Sequence, residues 1–244
     1  MKVITIASGK GGVGKSTTAV FLAQALADQG NRVLTVDLDP NNSLTDYFLR
    51  EYDPAEIAYR STYMALTNQR PLVDCIIQSE FNIAVIGSTP DLLKFPVHIA
   101  TDSMAVLRFA SRIRALGADF DVVVIDTPPS LGPMLDAATA AADTIIVPLN
   151  KDRWAMQCYG LLIDSINNVA EGTGRSPVHK VFFSKISKTE AEIMSLLGLP
   201  ALQTMALNSA GIKNAINDGR PLKSTTANYE VYVSLSKEIF NGNV

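Results

Sequence analysis

Eight residues near the start of the chain follow the pattern G-x-x-x-x-G-K-S and constrain the fold more than any other feature. They are Gly9, Lys10, Gly11, Gly12, Val13, Gly14, Lys15 and Ser16. An apolar run at 3–7 predicts a buried strand before the pattern, and residues 17–29, closed by Gly30, predict a helix after it. Glycines between a strand and a helix let backbone N–H groups surround an anion at the helix N-terminus. The sequence therefore predicts a phosphate-binding loop in an α/β fold.

The polar residues of this loop have predicted roles at a nucleotide. Lys15 places a cation against the β- and γ-phosphates, and the Ser16 hydroxyl is a ligand for Mg²⁺. Lys10 is a second lysine that an ordinary loop of this kind does not need. It can neutralise phosphate charge in its own subunit or in a partner subunit, as an arginine finger does. The residues predicted to hold the nucleotide phosphates are Gly11, Gly12, Val13, Gly14, Lys15, Ser16 and Thr17.

The same glycines also satisfy a second pattern. Gly9, Gly11 and Gly14 form G-x-G-x-x-G, and Asp37 lies near the end of the next predicted strand. That combination is the fingerprint of dinucleotide-binding folds. The Lys15-Ser16 pair and the carboxylates further along the chain favour a triphosphate instead. A dinucleotide-dependent enzyme is the less favoured alternative.

Strands and helices alternate along the rest of the chain. Further strands are predicted at 32–37, 82–86, 121–126, 144–149, 180–183 and 202–207. Further helices are predicted at 103–116, 154–169, 189–197, 209–217 and 229–240. Near-continuous Val and Ile runs are typical of strands buried on both faces. We therefore expect an α/β fold with a doubly wound, mostly parallel sheet and helices on both faces, in a single domain over 1–244.

Three carboxylates follow predicted strands, at the edge of the sheet where ligands bind. Asp37 and Asp39 end the second strand, and Asp126 comes after four apolar residues. An acid in the position of Asp126 holds Mg²⁺, usually through water, opposite the Ser16 hydroxyl. We predict Asp126 and Asp37 for the metal shell and Asp39, one step further out, for orienting the attacking water. Turn capping is the alternative role of Asp37 and Asp39.

Composition narrows the class of protein. The 244 residues carry a net charge of −3, so a nucleic-acid contact would have to be a local patch. Cys75 and Cys158 are far apart in sequence and are interpreted as reduced, buried thiols. No apolar run approaches the length of a membrane span, and the chain begins directly with a predicted strand. These features predict a cytoplasmic protein without stable membrane insertion.

Three motifs together resemble the deviant Walker A ATPases of the ParA/MinD/Soj family. They are residues 10–18, the Asp-Leu-Asp-Pro of 37–40 and the Asp-Thr-Pro-Pro-Ser of 126–130, in the order and spacing of that family. Weaker similarity continues through 141–148 and 208–221. The resemblance implies ATP and Mg²⁺ as cofactors, and a homodimer that encloses two ATP molecules.

The resemblance also implies roles for particular residues. Lys10 would cross the dimer interface to the phosphates of the partner, Asp39 would lie beside the attacking water, and Asp126 would serve the magnesium. The adenine would be contacted by the end of the strand at 184–185 and by Asn208.

Within the family, the chain resembles the short ParA-type partition ATPases that lack an N-terminal DNA-reading domain. Such proteins bind DNA non-specifically as ATP dimers, and a ParB-like partner with a basic tail stimulates their slow hydrolysis. The cargo is a plasmid, a chromosome origin or a protein body positioned on the nucleoid. One departure is the Asn41-Asn42 pair, where the family usually has Gln and Gly.

Candidate DNA contacts are surface cations in the C-terminal half, with scattered solvated charge as the alternative. They are Lys180, Lys185, Lys188, Lys213, Arg220 and Lys223. Lys151 is expected either to form a surface ion pair or to add a basic contact at the dimer face. The alternative function is a MinD-like membrane-surface ATPase of cell division, for which the helix at 229–240 would be the anchor. Its only cation is Lys237, so we favour a packed terminal helix.

Overall fold

The computed structural model describes residues 1–241, and a sheet of eight strands runs through this part of the chain. The strands are β1 (Lys2–Ile6), β2 (Val33–Asp37), β3 (Ile77–Gln78), β4 (Ala84–Ile86), β5 (Val122–Asp126), β6 (Thr144–Leu149), β7 (Val178–Ile186) and β8 (Ala206–Leu207). Their order is β3-β4-β2-β5-β1-β6-β7-β8. All neighbouring pairs are parallel except β3 with β4.

Helices occupy most of the connections between these strands. They are α1 (Lys15–Asp28), α2 (Ser43–Phe48), α3 (Pro54–Tyr59), α4 (Thr62–Leu66), α5 (Phe95–Ile99), α6 (Ala105–Ala115), α7 (Pro133–Ala141), α8 (Arg153–Thr173), α9 (Lys188–Ser195), α10 (Ala210–Asn217) and α11 (Ala227–Asn241). Short 3₁₀ turns lie at Leu72–Cys75, Pro90–Lys94 and Leu116–Ala118.

The order of the central strands creates the crevice in which ligands bind. From β1 the chain goes through α1 to β2, and β5 then inserts between those two strands. The next strand, β6, pairs on the other side of β1. The direction of winding therefore reverses at β1, and an open parallel sheet binds ligands beyond the carboxyl ends of its strands at such a point. The loop at 9–14 follows β1 and lies at this position.

The sheet is buried because helices cover both of its faces. On one face, Phe21 of α1 packs in the same core as Tyr232 and Leu235 of α11. On the other face, Phe109 of α6 and Ala138 of α7 pack against β5. Every residue of β2, β5 and β6 is buried, which explains the near-continuous Val and Ile runs.

The predicted architecture is confirmed, and most element boundaries differ by one to a few residues. One strand was wrong in extent: of the residues 202–207, the structure places only Ala206–Leu207 in a strand. Six other elements were not predicted: α2, α3, α4, α5, α7 and β3. Helix α7 is apolar almost all round because it packs between the sheet and α6, so it shows no amphipathic period. The pair Ile77–Gln78 is too short to give an alternating pattern.

The terminal helix α11 is part of the core. Tyr232, Leu235 and Ile239 are buried against α1 and its neighbours. Lys2 donates a hydrogen bond to the Ile239 carbonyl oxygen and lies 5.0 Å from the centre of the Phe240 ring. Across the described residues, we find no helix that is both long and apolar enough to cross a bilayer. Most of the apolar face of α11 is thus packed within the protein, and Phe240 stays partly exposed.

Truncating this face should destabilise the fold. Leu235→Ala removes a fully buried side chain, so we expect the free energy of unfolding to fall by about 2–5 kcal/mol. Urea denaturation followed by circular dichroism measures it, with the exposed Lys237→Ala on the same helix as the control. A loss below about 0.5 kcal/mol, the range of surface substitutions, would show that α11 is not packed as described.

Candidate functional site

The loop between β1 and α1 has a backbone that glycine alone accommodates easily. Gly12 and Gly14 have φ values of 79° and 97°, in the left-handed region, and Gly14 is the N-terminal cap of α1. A Cβ atom on Gly14 would lie 2.8 Å from the Ser184 hydroxyl oxygen at the end of β7. The loop is therefore held closely against β7, and the N-terminus of α1 opens into a cavity.

This phosphate cavity, as we call it, has a volume of about 700 Å³. The predicted loop residues that line it are Gly11, Gly12, Gly14, Lys15, Ser16 and Thr17. Asp39, Asn41 and Asn42 form part of the opposite wall. Val13 instead turns its side chain into the core beside Ala7, so it can contribute only its backbone to a ligand.

Lys15 is buried at the floor of the loop. Its Nζ donates a hydrogen bond to the Lys10 carbonyl oxygen over 3.0 Å. Burial lowers the pKa of Lys15, and the carboxylates of Asp126 and Asp39 oppose that shift. A cation held by two nearby acids and the backbone of the loop is suited to binding phosphate oxygens.

Asp37 and Asp126 end neighbouring strands and lie side by side. In the parallel register, Asp126 pairs with Ile6 of β1 on one side and with Asp37 of β2 on the other. Both carboxylates are completely buried. Asp37 accepts hydrogen bonds from the Thr45 amide at 2.9 Å, the Thr45 hydroxyl at 2.7 Å and the Asp39 amide at 3.0 Å. These bonds show Asp37 holding the turn into α2, and its place in the metal shell stays a prediction.

The pKa values of these two carboxyls rise for the same reason. Burial raises the pKa of Asp37 to about 6, although the hydrogen bonds from Thr45 oppose the shift. Burial and the nearby charge of Asp37 raise the pKa of Asp126 well above its ordinary value, against the Ser16 hydroxyl and Lys15. Two adjacent buried acids are costly to ionise together unless a cation joins them.

Asp126 fits a magnesium ion. Neither of its buried carboxylate oxygens has a hydrogen-bond partner of good geometry within residues 1–241. Buried polar atoms rarely stay unpaired, and an anionic oxygen beside a serine hydroxyl is a donor set that Mg²⁺ prefers. Asp126 and Ser16 would hold the ion, which supplies positive charge to the phosphates when bound.

Asp39 lies on the wall of the phosphate cavity and also organises it. Its Oδ1 accepts hydrogen bonds from the Asn41 amide at 2.9 Å and from the Asn41 side chain at 3.0 Å. Asn42 has a φ of 49° and precedes α2. Asparagine tolerates this left-handed conformation better than most residues, which explains how it can replace the usual glycine. Asn42 is therefore compatible with the left-handed backbone of this turn.

Lys10 does not line the phosphate cavity of its own chain. Its ammonium forms an ion pair with Asp152, which also accepts a hydrogen bond from the Trp154 amide and caps α8. The loop therefore presents two lysines in different ways: Lys15 lies within the cavity and Lys10 extends along the surface to α8.

A second cavity of about 380 Å³ adjoins the first; we call it the base cavity. Ser184, Lys185 and Asn208, the three residues predicted near an adenine, all line it. Thr17 and Asn217 border both cavities. Sequence reasoning missed its apolar walls, which are Ile212, Ile216 and Tyr232. The i, i+4 spacing of the two isoleucines on α10 was the available signal.

The candidate DNA-binding residues differ in their positions and in their partners. Lys213 lies on the base cavity close enough to lower the pKa of Lys185. Arg220 forms an ion pair with Asp218. The remaining candidates are Lys180 in β7, the exposed Lys188 at the start of α9, and the exposed Lys223 after α10.

Lys151 forms an ion pair, as one of its two predicted alternatives requires. Its Nζ is 2.5 Å from a carboxylate oxygen of Glu190 in the first turn of α9. Asp152, which is adjacent in sequence, pairs with Lys10.

Comparisons with known proteins show the family to which the chain belongs. A family model described as "AAA domain" matches residues 1–176. The chromosome partitioning protein ParA of Myxococcus xanthus is 34% identical over 172 residues, which cover 70% of this chain and 60% of that protein. The aligned part thus spans less than two thirds of that ParA protein. The chain belongs to the ParA/MinD/Soj family of P-loop ATPases.

Two further relatives cover nearly the whole chain. The sporulation initiation inhibitor protein Soj of Bacillus subtilis is 26% identical, with 98% of both chains covered. A putative plasmid partition protein of Borrelia burgdorferi, solved bound to AMPPNP, superposes with a TM-score of 0.82 at 25% identity. That comparison covers 100% of this chain and 99% of the other. The likeness therefore extends beyond the motifs, through the elements that form the base cavity.

Asp126 should cost stability when no cation is bound. Because folding raises its pKa, the folded chain loses stability as pH rises from the ordinary carboxyl pKa to the raised one. In the absence of nucleotide and Mg²⁺, and at pH values above that window, Asp126→Asn should unfold at a higher temperature than the wild type. The difference in unfolding temperature should vanish at low pH. Thermal unfolding across a pH series measures this, with exposed Asp164→Asn as the control. A variant that is less stable at every pH would contradict the account.

Proposed function

We propose that the protein is a partition ATPase that binds ATP and Mg²⁺, closes as a homodimer around two nucleotides, and binds DNA non-specifically. Partner-stimulated hydrolysis then opens the dimer and moves or spaces a cargo. The observation that carries this proposal is the position of Lys10, which belongs to the loop but points away from the phosphate cavity of its own chain. The localisation that follows is cytoplasmic and associated with the nucleoid.

ATP and Mg²⁺ are supported by the two cavities and the carboxylates between them. The phosphate cavity is lined by the loop, and the adjoining base cavity has apolar walls for a purine. The unpaired oxygens of Asp126 provide the anionic ligand for the metal. The Borrelia relative was solved with a non-hydrolysable ATP analogue, which agrees with the same assignment.

Dimerisation is supported by the two arrangements open to Lys10. In a single chain its ammonium is paired with Asp152 at the start of α8. A triphosphate on a facing subunit is a stronger partner than one carboxylate because it carries several negative oxygens. Exchange of Asp152 for the partner's phosphates would therefore make dimer formation depend on ATP.

Hydrolysis is assigned to Asp39, which lies on the cavity wall at the end of β2. Its carboxylate can accept a hydrogen bond from a water and so orient it toward the γ-phosphate. Lys15 and the partner's Lys10 stabilise the charge that develops on the transferred group. A ParB-like protein with a basic tail is the expected partner class, because an added cation at this interface would speed the same step.

DNA binding is assigned to the lysines and arginine of the C-terminal half. Lys213, Arg220 and Lys223 lie on or just after α10, which also forms a wall of the base cavity. Nucleotide binding and DNA binding would thus share one element. Two subunits side by side double the number of cations offered to the phosphate backbone, so affinity should require the dimer.

Removing Lys10 should separate ATP binding from dimerisation. We expect Lys10→Ala to bind a non-hydrolysable ATP analogue but to weaken dimerisation about tenfold or more, because a charge-assisted contact to phosphate is lost. Light scattering across a concentration series measures the dimer constant. Lys94→Ala, an exposed lysine paired with Asp91, is the matched control and should dimerise as the wild type does. Wild-type dimerisation of Lys10→Ala would remove this lysine from the interface.

The DNA assignment is tested against the membrane alternative in one experiment. With ATP, the protein should bind random-sequence duplex with an affinity that falls steeply as salt rises, and it should not bind anionic liposomes. The double variant Arg220→Glu, Lys223→Glu should lose the DNA signal and keep ATP binding, whereas Lys94→Glu, outside this cluster, should behave as the wild type. Liposome binding without DNA binding would favour a MinD-like function instead.

A further inference from the structure

Lys185 lies outside the three nucleotide motifs, yet its side chain reaches the phosphate-binding loop. It comes near the end of β7, where the pairing of β7 with β8 is irregular between Ser184 and Ile186. Its φ of 58° is in the left-handed region, which lysine rarely adopts because Cβ crowds the backbone. Its Nζ donates a hydrogen bond to the Gly12 carbonyl oxygen over 2.9 Å. A strained residue of β7 thus contacts the loop that follows β1.

The side chain of Lys185 marks the boundary between the two cavities. It lines the phosphate cavity together with Lys15 and Ser16, and it lines the base cavity together with Asn208. A nucleotide with its phosphates in the first cavity and its base in the second would pass this ammonium group. Non-glycine residues with strained backbones are concentrated at ligand sites, where the surrounding structure holds them in place.

The charges around Lys185 favour an anionic ligand. Desolvation and the nearby Lys213 lower the pKa of Lys185, and Lys185 in turn lowers the pKa of Lys15. Among residues 1–241, the ion pairs found do not include one between Lys185 and a carboxylate. Its acceptor is the neutral Gly12 carbonyl, and a charged phosphate oxygen forms the stronger hydrogen bond.

We propose that Lys185 is a third lysine of the phosphate site, supplied by β7, which exchanges the Gly12 carbonyl for a phosphate oxygen when a nucleotide binds. The same contact tethers the loop to β7 before the exchange. Lys185 is therefore a ligand of the phosphates rather than of the adenine, to which the sequence assigned it. This inference rests on the proposed nucleotide binding but on neither dimerisation nor DNA binding.

The test compares ADP with adenosine, because the two differ only in the phosphates. Isothermal titration calorimetry gives the affinities for Lys185→Met, Lys185→Arg and the control Lys94→Met, an exposed lysine paired with Asp91. Loss of one charge-assisted hydrogen bond should weaken ADP binding about ten- to hundredfold in Lys185→Met. Adenosine binding should be unchanged, Lys185→Arg should recover much of the ADP affinity, and Lys94→Met should match the wild type.

A second variant guards against misfolding. Lys185→Asn removes the charge and suits the left-handed backbone, so it should fold and show the same selective loss of ADP affinity. Equal losses for ADP and adenosine would overturn the proposal and indicate a base contact or a structural role. Unchanged ADP affinity would show that Lys185 is an ordinary surface cation. The ADP measurements do not depend on the partition proposal. They would stay valid if the protein formed no ATP-dependent dimer and bound no DNA.

Discussion

The insertion of β5 between β1 and β2 is the constraint on which the site depends. Its register places the Asp126 carboxylate beside Asp37 and next to the strand that leads into the loop. Asp37 recovers part of the cost of burial through hydrogen bonds from Thr45 and Asp39. The nearby Ser16 hydroxyl and Lys15 favour the charged form of Asp126, but neither of its oxygens has a hydrogen-bond partner of good geometry among the described residues. We expect such a buried acid to cost stability without a cation and to provide affinity for one.

The lysines around the loop share one arrangement. Lys15 donates to the Lys10 carbonyl, Lys185 donates to the Gly12 carbonyl, and Lys10 pairs with Asp152. Each cation thus has a partner within the protein, so the proposed contacts of Lys10 and Lys185 would make polyphosphate binding an exchange of partners rather than a simple addition. Such exchanges would make the loop sensitive to the number of phosphates, which is the property that an ATP-dependent switch needs.

Much of the fold and of the candidate site could be predicted from the sequence, because the glycine-rich loop and the acids after apolar strands have few other structural uses. The parallel sheet and the meeting of Lys15, Ser16, Asp39 and Asp126 followed from those motifs. Contacts between distant segments could not be predicted in the same way. The pairing of Lys10 with Asp152 depends on how β6 leads into α8, and motif spacing carries no information about it.

We propose that the phosphate cavity and the base cavity together bind ATP, and that Asp39 controls the hydrolysis that opens the dimer. The most direct measurement is single-turnover ATP hydrolysis by Asp39→Asn, which keeps an acceptor for Asn41 but removes the negative charge. We expect wild-type ATP binding, a persistent dimer and a hydrolysis rate lowered about a hundredfold or more. Hydrolysis at the wild-type rate, with the dimer dissociating normally, would contradict it.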